Sequence, residues 1–538
     1  MVDLLTSAQM RAIERRSIDS GVVSALQLME RAGQGVVEAI FNKWPELQRD
    51  DGTALVLCGP GNNGGDGFVV ARLLKRAGWG VKVLLYGHPD QMPPDARKNY
   101  DRWLDMGEVS PLHLGDIPHP FPQSDLTIDA LFGTGLTRPL EKPLAQVLST
   151  ELGAFSVRKR IVAIDAPSGL CMDSGRFLSG ADPLTADITV SFHKMKLGHV
   201  LAEGPVACGQ TVVVDIGLPE SEDQDRIPKS LQTDVNAGAM LVSAQTLGGV
   251  DKLDSYSHAG HKFDHGHALI LSGEFGKTGA ARLAARGALR VGTGVVTLGV
   301  PPSARMEVAC QITAIMQSRV SDASELKKRL LDKRINAICM GPGLGFDRAR
   351  ALVPISLADK IPCVLDADAL SAFADDPETL FQMIHPNVVM TPHAGEFARL
   401  FPDLSQRLLG PSTTGPAYSK VDAALEAAKR AGCVVLFKGA DTVIASSDGR
   451  YAVHSAHYER SVPWLATAGA GDVLAGLITG LLARGFSPLK AASAGAFLHV
   501  EAARLFGPGL IAEDLAETLP EVFRSLRYQA TASSAPSA

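Results

Sequence analysis

Apolar runs recur at regular intervals through the first 217 residues of this 538-residue chain: "TALVLCG" (53–59), "GVKVLLYG" (80–87), "LTIDALFG" (126–133), "RIVAIDAPSG" (160–169), "ADITVSF" (186–192) and "GQTVVVDIG" (209–217). Helical patterns fall between several of them, as in "GFVVARLLKRAG". A run that is apolar at consecutive positions buries both of its faces. Runs of that kind alternating with helices specify a parallel sheet covered on both sides. The polar, acidic stretch "LPESEDQDRIPKSLQTD" (218–234) reads as a linker. The pattern then starts again with "HALILSG" (267–273), "AICMGPGLG" (337–345), "PCVLDADAL" (362–370), "NVVMTPHAGE" (387–396) and "CVVLFKG" (433–439). We therefore expect two α/β domains, at 1–220 and 235–525, with a linker at 221–234 and a disordered tail at 526–538. No internal repeat relates the two halves.

Composition narrows the setting. Hydrophobic residues make up 46% of the chain, enough for two cores, and the net charge of −6 gives no electrostatic case for nucleic acid or an anionic membrane. Seven scattered cysteines without a CxxC pair fit a reducing compartment. The opening residues carry Asp3, Arg11, Glu14, Arg15 and Arg16 where a signal peptide needs an apolar core. A cytoplasmic, soluble protein is expected, with small-molecule substrates, no nucleic acid, no membrane, and assembly as a homo-oligomer.

The stretch "CGPGNNGGDGFVVARLL" (58–74) joins a strand-like run to a helical one through five glycines. It is neither GxGxxG nor a Walker loop. Glycine at this cost in backbone entropy suggests close approach to the backbone, and a helix N-terminus behind it suits a phosphate or pyrophosphate. Two further polar loops follow strands, "DALFGTGLTRPL" (129–140) and "IDAPSGL" (164–170). In an open parallel sheet these loops share the carboxyl edge, where ligands bind. They bring Asp66, Asp129 and Asp165 together there. Asp165 can also be a turn-capping residue, and Asp129 a strand-end acceptor.

In the second half, "TAGAGDVLAGLITGLL" (467–482) places Gly469, Gly471 and Asp472 at the start of an apolar helix. Backbone N–H groups there can stabilise charge on a transferred phosphoryl group, and Asp472 can take a proton from an attacking hydroxyl. An aspartate in this position is also a common cap.

These strings resemble a known pairing. "GPGNNGGDG", "DALFGTGLTRPL" and "AIDAPSGL" resemble the NAD(P)H-hydrate epimerase domain over about residues 1–220. The resemblance implies a Rossmann-like α/β/α sandwich that binds a damaged nicotinamide dinucleotide. It further implies a potassium ion held by Asn63, Asp129 and Ser168, and Asp165 as the catalytic carboxylate. The implied contacts to the dinucleotide are Asn62, Asn63, Gly64, Gly65 and Asp66, then Gly133, Thr134, Gly135, Leu136, Thr137, Arg138 and Pro139, with Asp165.

"HKFDHGHALILSGEFGKTGAARLAARGAL", "GPGLG", "VLDADAL", "TPHAGEFARL", "FKGADTVIA" and "ATAGAGDVLAGLI" resemble the NAD(P)H-hydrate dehydratase domain of the ribokinase-like superfamily, over about residues 235–525. That likeness implies that Ala280, Gly343, His393 and Asp472 contact the hydrated dinucleotide, with Asp472 as base. It implies that Lys438, Gly439, Ala440, Asp441, Thr442 and Gly471 hold the phosphoryl donor, and that magnesium accompanies the nucleotide. Ala470 stands where a hydroxyl residue is common, and His393 can instead bond the backbone. Two fused domains resemble the bacterial bifunctional NAD(P)H-hydrate repair enzyme, which implies ADP as donor. The alternative is a ribokinase-like kinase of a small hydroxylated metabolite with a nucleotide-sensing N-terminal domain.

Overall fold

The computed structural model describes residues 3–112, 124–152, 160–178, 185–219, 239–247, 249–250 and 261–533. The expected linker at 221–234, and residues 534–538 of the expected tail, lie outside them. The chain divides into two compact units, Asp3–Ala239 with Gly410–Ser419, and Met240–Leu409 with Lys420–Ala538. Among the described residues, no helix is long and apolar enough to cross a membrane.

The N-terminal unit is built on a seven-stranded sheet in the order 210–214, 188–192, 160–164, 126–130, 53–58, 80–85, 109–111. Every adjacent pair is parallel. Why its strands read as unbroken apolar runs is visible in Thr53–Cys58. Ala54, Val56 and Cys58 pack into one core cluster, with helices Ala25–Lys43 and Asn62–Arg76. Leu55 and Leu57 pack into another, with Leu144, Ala145 and Leu148 of helix Lys142–Leu152. Both faces are covered, giving an α/β/α sandwich. Strand order reverses between 53–58 and 126–130, and at such a switch point the loops leave a crevice.

The glycine-rich stretch forms the first turns of helix Asn62–Arg76 and not a free loop. A Cβ on Gly64 would lie 2.0 Å from the Gly59 carbonyl oxygen, and one on Gly65 would lie 2.6 Å from Met29 Sδ. These glycines let the helix seat against the chain's own backbone and the neighbouring helix.

In the second unit, strands 316–319, 295–300, 267–271, 337–340, 363–365, 388–390 and 434–437 run parallel in that order. They continue into an antiparallel pair, 441–445 and 451–455. Helix Ala470–Ala483 is apolar on all sides because it is buried on all sides. It crosses helix Gly279–Arg290 closely: a Cβ on Gly476 would lie 2.0 Å from the Ala284 carbonyl oxygen. The last helix runs Ala512–Ser533, so part of the expected disordered tail is helical. Its alanines favour that continuation.

Candidate functional site

At the switch point of the first sheet lies a cavity of about 760 Å³, within the range usual for small-molecule sites. Its walls include Asn62, Asn63, Asp66, residues 133–138 and Asp165, all expected from sequence. Gly64, Gly65 and Pro139 are not among its lining residues. For Gly64 and Gly65 the cause is the packing just described. Gly61 is the N-cap of the helix and brings no side-chain cap, so early backbone N–H groups stay available beside the cavity.

Asp165 follows strand Arg160–Ile164 with φ of +65°, a left-handed conformation that aspartate tolerates better than most residues. It turns the carboxylate into the cavity. Oδ2 accepts from the Thr134 backbone N–H at 2.9 Å, and Oδ1 lies 3.1 Å from Lys196 Nζ. Lys196 is fully buried and also donates to Ser191 Oγ (2.9 Å) and the Phe192 carbonyl (3.0 Å). Burial works to raise the pKa of Asp165, but the Lys196 ammonium and the Thr134 bonds outweigh it and the carboxyl titrates below its ordinary range. Two other acids share the cavity. Burial first, then the charge of Asp165, raises Glu14 to about 7. The same two causes, with Glu14, raise Asp66 well above the carboxylate range.

Behind them, Asp129 is fully buried and bound to Ser168. It accepts from Ser168 Oγ (2.6 Å), Ser168 N (2.8 Å) and Leu131 N (3.2 Å). Burial lifts its pKa to about 6 against these bonds. Asn63 Nδ2 is buried without a hydrogen-bond partner, and its Oδ1 lies 3.0 Å from where a Cβ on Gly133 would sit. Asp165 Oδ2 lies 2.9 Å from the same point.

The second unit gathers a tighter charge cluster. Gly469, at φ of +88°, is the N-cap of helix Ala470–Ala483 and again supplies no side-chain cap. Asp472 sits in the first turn without capping it. Burial, then Asp366, Asp368 and Glu396 against Lys438, place its pKa at about 7. Lys438 Nζ is 2.8 Å from Asp366 Oδ1 and 3.8 Å from Glu396 Oε2. Thr391 Oγ1 donates to the same Asp366 oxygen at 2.7 Å. Ala280 and Gly343 adjoin, with 3.3 Å between the Ala280 Cβ and a Cβ placed on Gly343. The Gly345 N–H donates to Asp368 (2.8 Å), one of the acids acting on Asp472.

Residues 438–440 turn the chain into strand 441–445. Thr442 Oγ1 donates to the Gly439 carbonyl at 2.7 Å, and Lys420 holds Asp441 at 2.7 Å. His393 bonds the backbone: Nδ1 accepts from Gly395 N (3.0 Å) and Glu396 N (3.3 Å) as a helix cap. Its Nε2 still lies 3.5 Å from Glu396 Oε1, and the side chain is 54% exposed. On the buried side, His499 donates through Nε2 to the Ala470 carbonyl (2.8 Å). Burial keeps this ring neutral, with a pKa of about 4.

Lys196 and Glu14 escape a motif reading, whereas Asp366 and Glu396 stand inside "VLDADAL" and "TPHAGEFARL". The one signal for Lys196 is a lysine following an apolar strand in "ADITVSFHKMK", where a partner for a strand-end carboxylate could be sought.

The fold and its two clusters define a class: a chain of two α/β units, each pairing an uncapped helix start with an acidic side chain. The family model for NAD(P)H-hydrate dehydratase matches residues 268–521, and that for the YjeF-related protein N-terminus matches 25–198. A bifunctional NAD(P)H-hydrate repair enzyme of Moorella thermoacetica is 35% identical over 98% of this chain and 97% of its own length. Its Escherichia coli counterpart is 32% identical over 95% of this chain and 92% of its own. An NAD(P)H-hydrate epimerase of Rhodobacter capsulatus is 46% identical over 38% of this chain and 95% of its own. The chain belongs to the family of bifunctional NAD(P)H-hydrate repair enzymes.

Proposed function

We propose that the chain repairs hydrated NADH and NADPH: the N-terminal unit exchanges the R and S hydrates, and the C-terminal unit uses ADP to dehydrate the S form, releasing AMP and phosphate. The observation that carries this reading is the repeated pairing of an uncapped helix N-terminus with an acid, Asp165 in one unit and Asp472 in the other.

In the first unit, the open N–H groups at the start of helix Asn62–Arg76 favour a pyrophosphate. Ionised Asp165, aimed by Thr134 N–H and Lys196, mediates the proton transfer that epimerisation of the hydroxylated ring carbon next to nitrogen needs. Residues 133–138 line the substrate. A potassium ion at Asn63, Asp129 and Ser168 suits a donor set made only of hard oxygens. The ion would be held through Asn63 Oδ1, while the partnerless Nδ2 donor leaves room for an acceptor beside it. When bound, the ion would supply positive charge near the phosphates. Asn63→Ala is expected to raise the potassium concentration for half-maximal epimer exchange in a KCl titration.

In the second unit, Asp472 takes the proton from the ring hydroxyl while that oxygen attacks the terminal phosphoryl group of the donor. The N–H groups of Gly471 and its neighbours receive the charge that develops. Phosphate is a far better leaving group than hydroxide, so elimination then restores the double bond. We place the donor against residues 438–442. Among the described residues, no three His, Cys, Asp or Glu form a metal cage. Magnesium would arrive on the donor's phosphates. We place the reaction in the cytoplasm, where the seven free cysteines would stay reduced, and expect a homo-oligomer.

The test incubates the full chain with mixed hydrate epimers and ADP or ATP, following reduced nicotinamide absorbance and nucleotide product. Restored cofactor with AMP from ADP supports the reading. A stable phosphorylated product without restored cofactor supports the kinase of a small hydroxylated metabolite.

A further inference from the structure

The cavity of the N-terminal unit holds an acid that no motif marks. Glu14 stands on helix Ser7–Asp19, remote in sequence from every glycine loop, yet lines the same wall system as Asp165 and Asp66. Among the described residues, its carboxyl makes no hydrogen bond or ion pair, whereas Asp165 is fixed by Thr134 and Lys196. One acid is therefore held ionised and oriented, and the other is left free to carry a proton.

We propose that Glu14 is the second proton-transfer residue of the epimerisation, working as general acid opposite Asp165. The inference rests on the epimerase reading of this unit. Exchange at a carbon that bears hydroxyl and adjoins nitrogen needs the C–O bond to break and re-form on the other face. The Glu14 carboxyl proton passes to the hydroxyl oxygen. The C–O bond breaks and its electron pair leaves with water, while the nitrogen lone pair closes a C=N bond. Water then adds to the opposite face. Its oxygen forms the new C–O bond, the C=N pair returns to nitrogen, and the surplus proton goes to Asp165. Solvent carries that proton back to Glu14. The reverse exchange uses the two carboxyls in swapped roles.

The charges facing Glu14 support the assignment. Asp165 and burial favour its protonated form, while Lys196 and Arg11 oppose them. Asp66 stands with it in the cavity and is itself disfavoured as an anion by Asp165 and Glu14. With Glu14 near 7, protonated and ionised forms coexist at neutral pH, as proton transfer in both directions requires.

The test uses the full chain and the exchange of purified R hydrate into S, with an enzyme-free control. Glu14→Gln should lower kcat for exchange roughly 100-fold or more with KM little changed, and Glu14→Asp should recover part of it. Dehydration of the S hydrate by the same Glu14→Gln preparation should be unaltered, and a circular-dichroism melt matching wild type shows that the N-terminal unit is folded. Wild-type kcat for exchange should fall as pH rises through about 7. That limb should be absent in Glu14→Gln and present in Asp66→Asn. Full exchange by Glu14→Gln, a loss carried by KM alone, or a limb that disappears only with Asp66→Asn would each overturn the assignment. Should Glu14→Gln not fold, a wild-type profile flat through this range overturns it and a falling limb supports it. No exchange by wild type above the control would instead reject the epimerase reading itself.

Discussion

Lys196 carries the sharpest consequence at the scale of single residues. A fully buried ammonium beside Asp165 keeps that carboxylate ionised. Lys196→Met leaves a buried carboxylate without its counter-charge, a loss that typically costs about 3–5 kcal/mol. The pKa of Asp165 should then rise. In chemical denaturation the variant should be less stable by an amount of that order, and the acid limb of exchange should move to higher pH. Asp472 makes a matching case. Its carboxyl sits near pH 7, and a base must be deprotonated to act. Dehydratase kcat/KM should therefore climb with pH through about 7 and level off above it. Asp472→Asn should remove regeneration of reduced nicotinamide by roughly 100-fold or more while epimer exchange continues.

At the scale of elements, the two helix starts decide what a ligand can meet. Gly61 caps helix Asn62–Arg76 without a side chain, and a Cβ placed there touches nothing within 4 Å. Gly61→Ser should be accommodated with a stability change of only a few tenths of a kcal/mol. Its hydroxyl would occupy an N–H meant for the ligand, so dinucleotide affinity should drop, as titration calorimetry can measure. Gly64→Ala is different, because its methyl meets the Gly59 carbonyl. It should unseat the helix and lower the melting temperature. This contrast marks where sequence reading stops. The string Asn-Asn-Gly-Gly-Asp-Gly says that side chains are not tolerated, but not whether the close neighbour is a ligand or the protein itself. The parallel strands were legible because burial on both faces leaves an unbroken apolar run. The pair 441–445 and 451–455 adds antiparallel structure that no such run announces. Asp165 and Asp472 were legible from their loops. Glu14 and Lys196 were not, because tertiary packing alone brings them to the site.

Across the whole molecule, the two units would complement each other. Dehydration consumes only the S hydrate, and exchange replenishes it from R. Their proton requirements run in opposite directions, since Glu14 must be protonated for exchange and Asp472 ionised for phosphoryl transfer. Total repair of an epimer mixture should therefore peak near pH 7 and fall to either side. The most direct measurement follows the end point of cofactor recovery from an equimolar mixture of the two hydrates with excess ADP. Wild type should restore reduced nicotinamide from both epimers. Asp165→Asn should restore the S share and then proceed only at the rate of uncatalysed exchange. Complete recovery by Asp165→Asn at the wild-type rate would contradict the account, because the first cavity would then have no part in the repair.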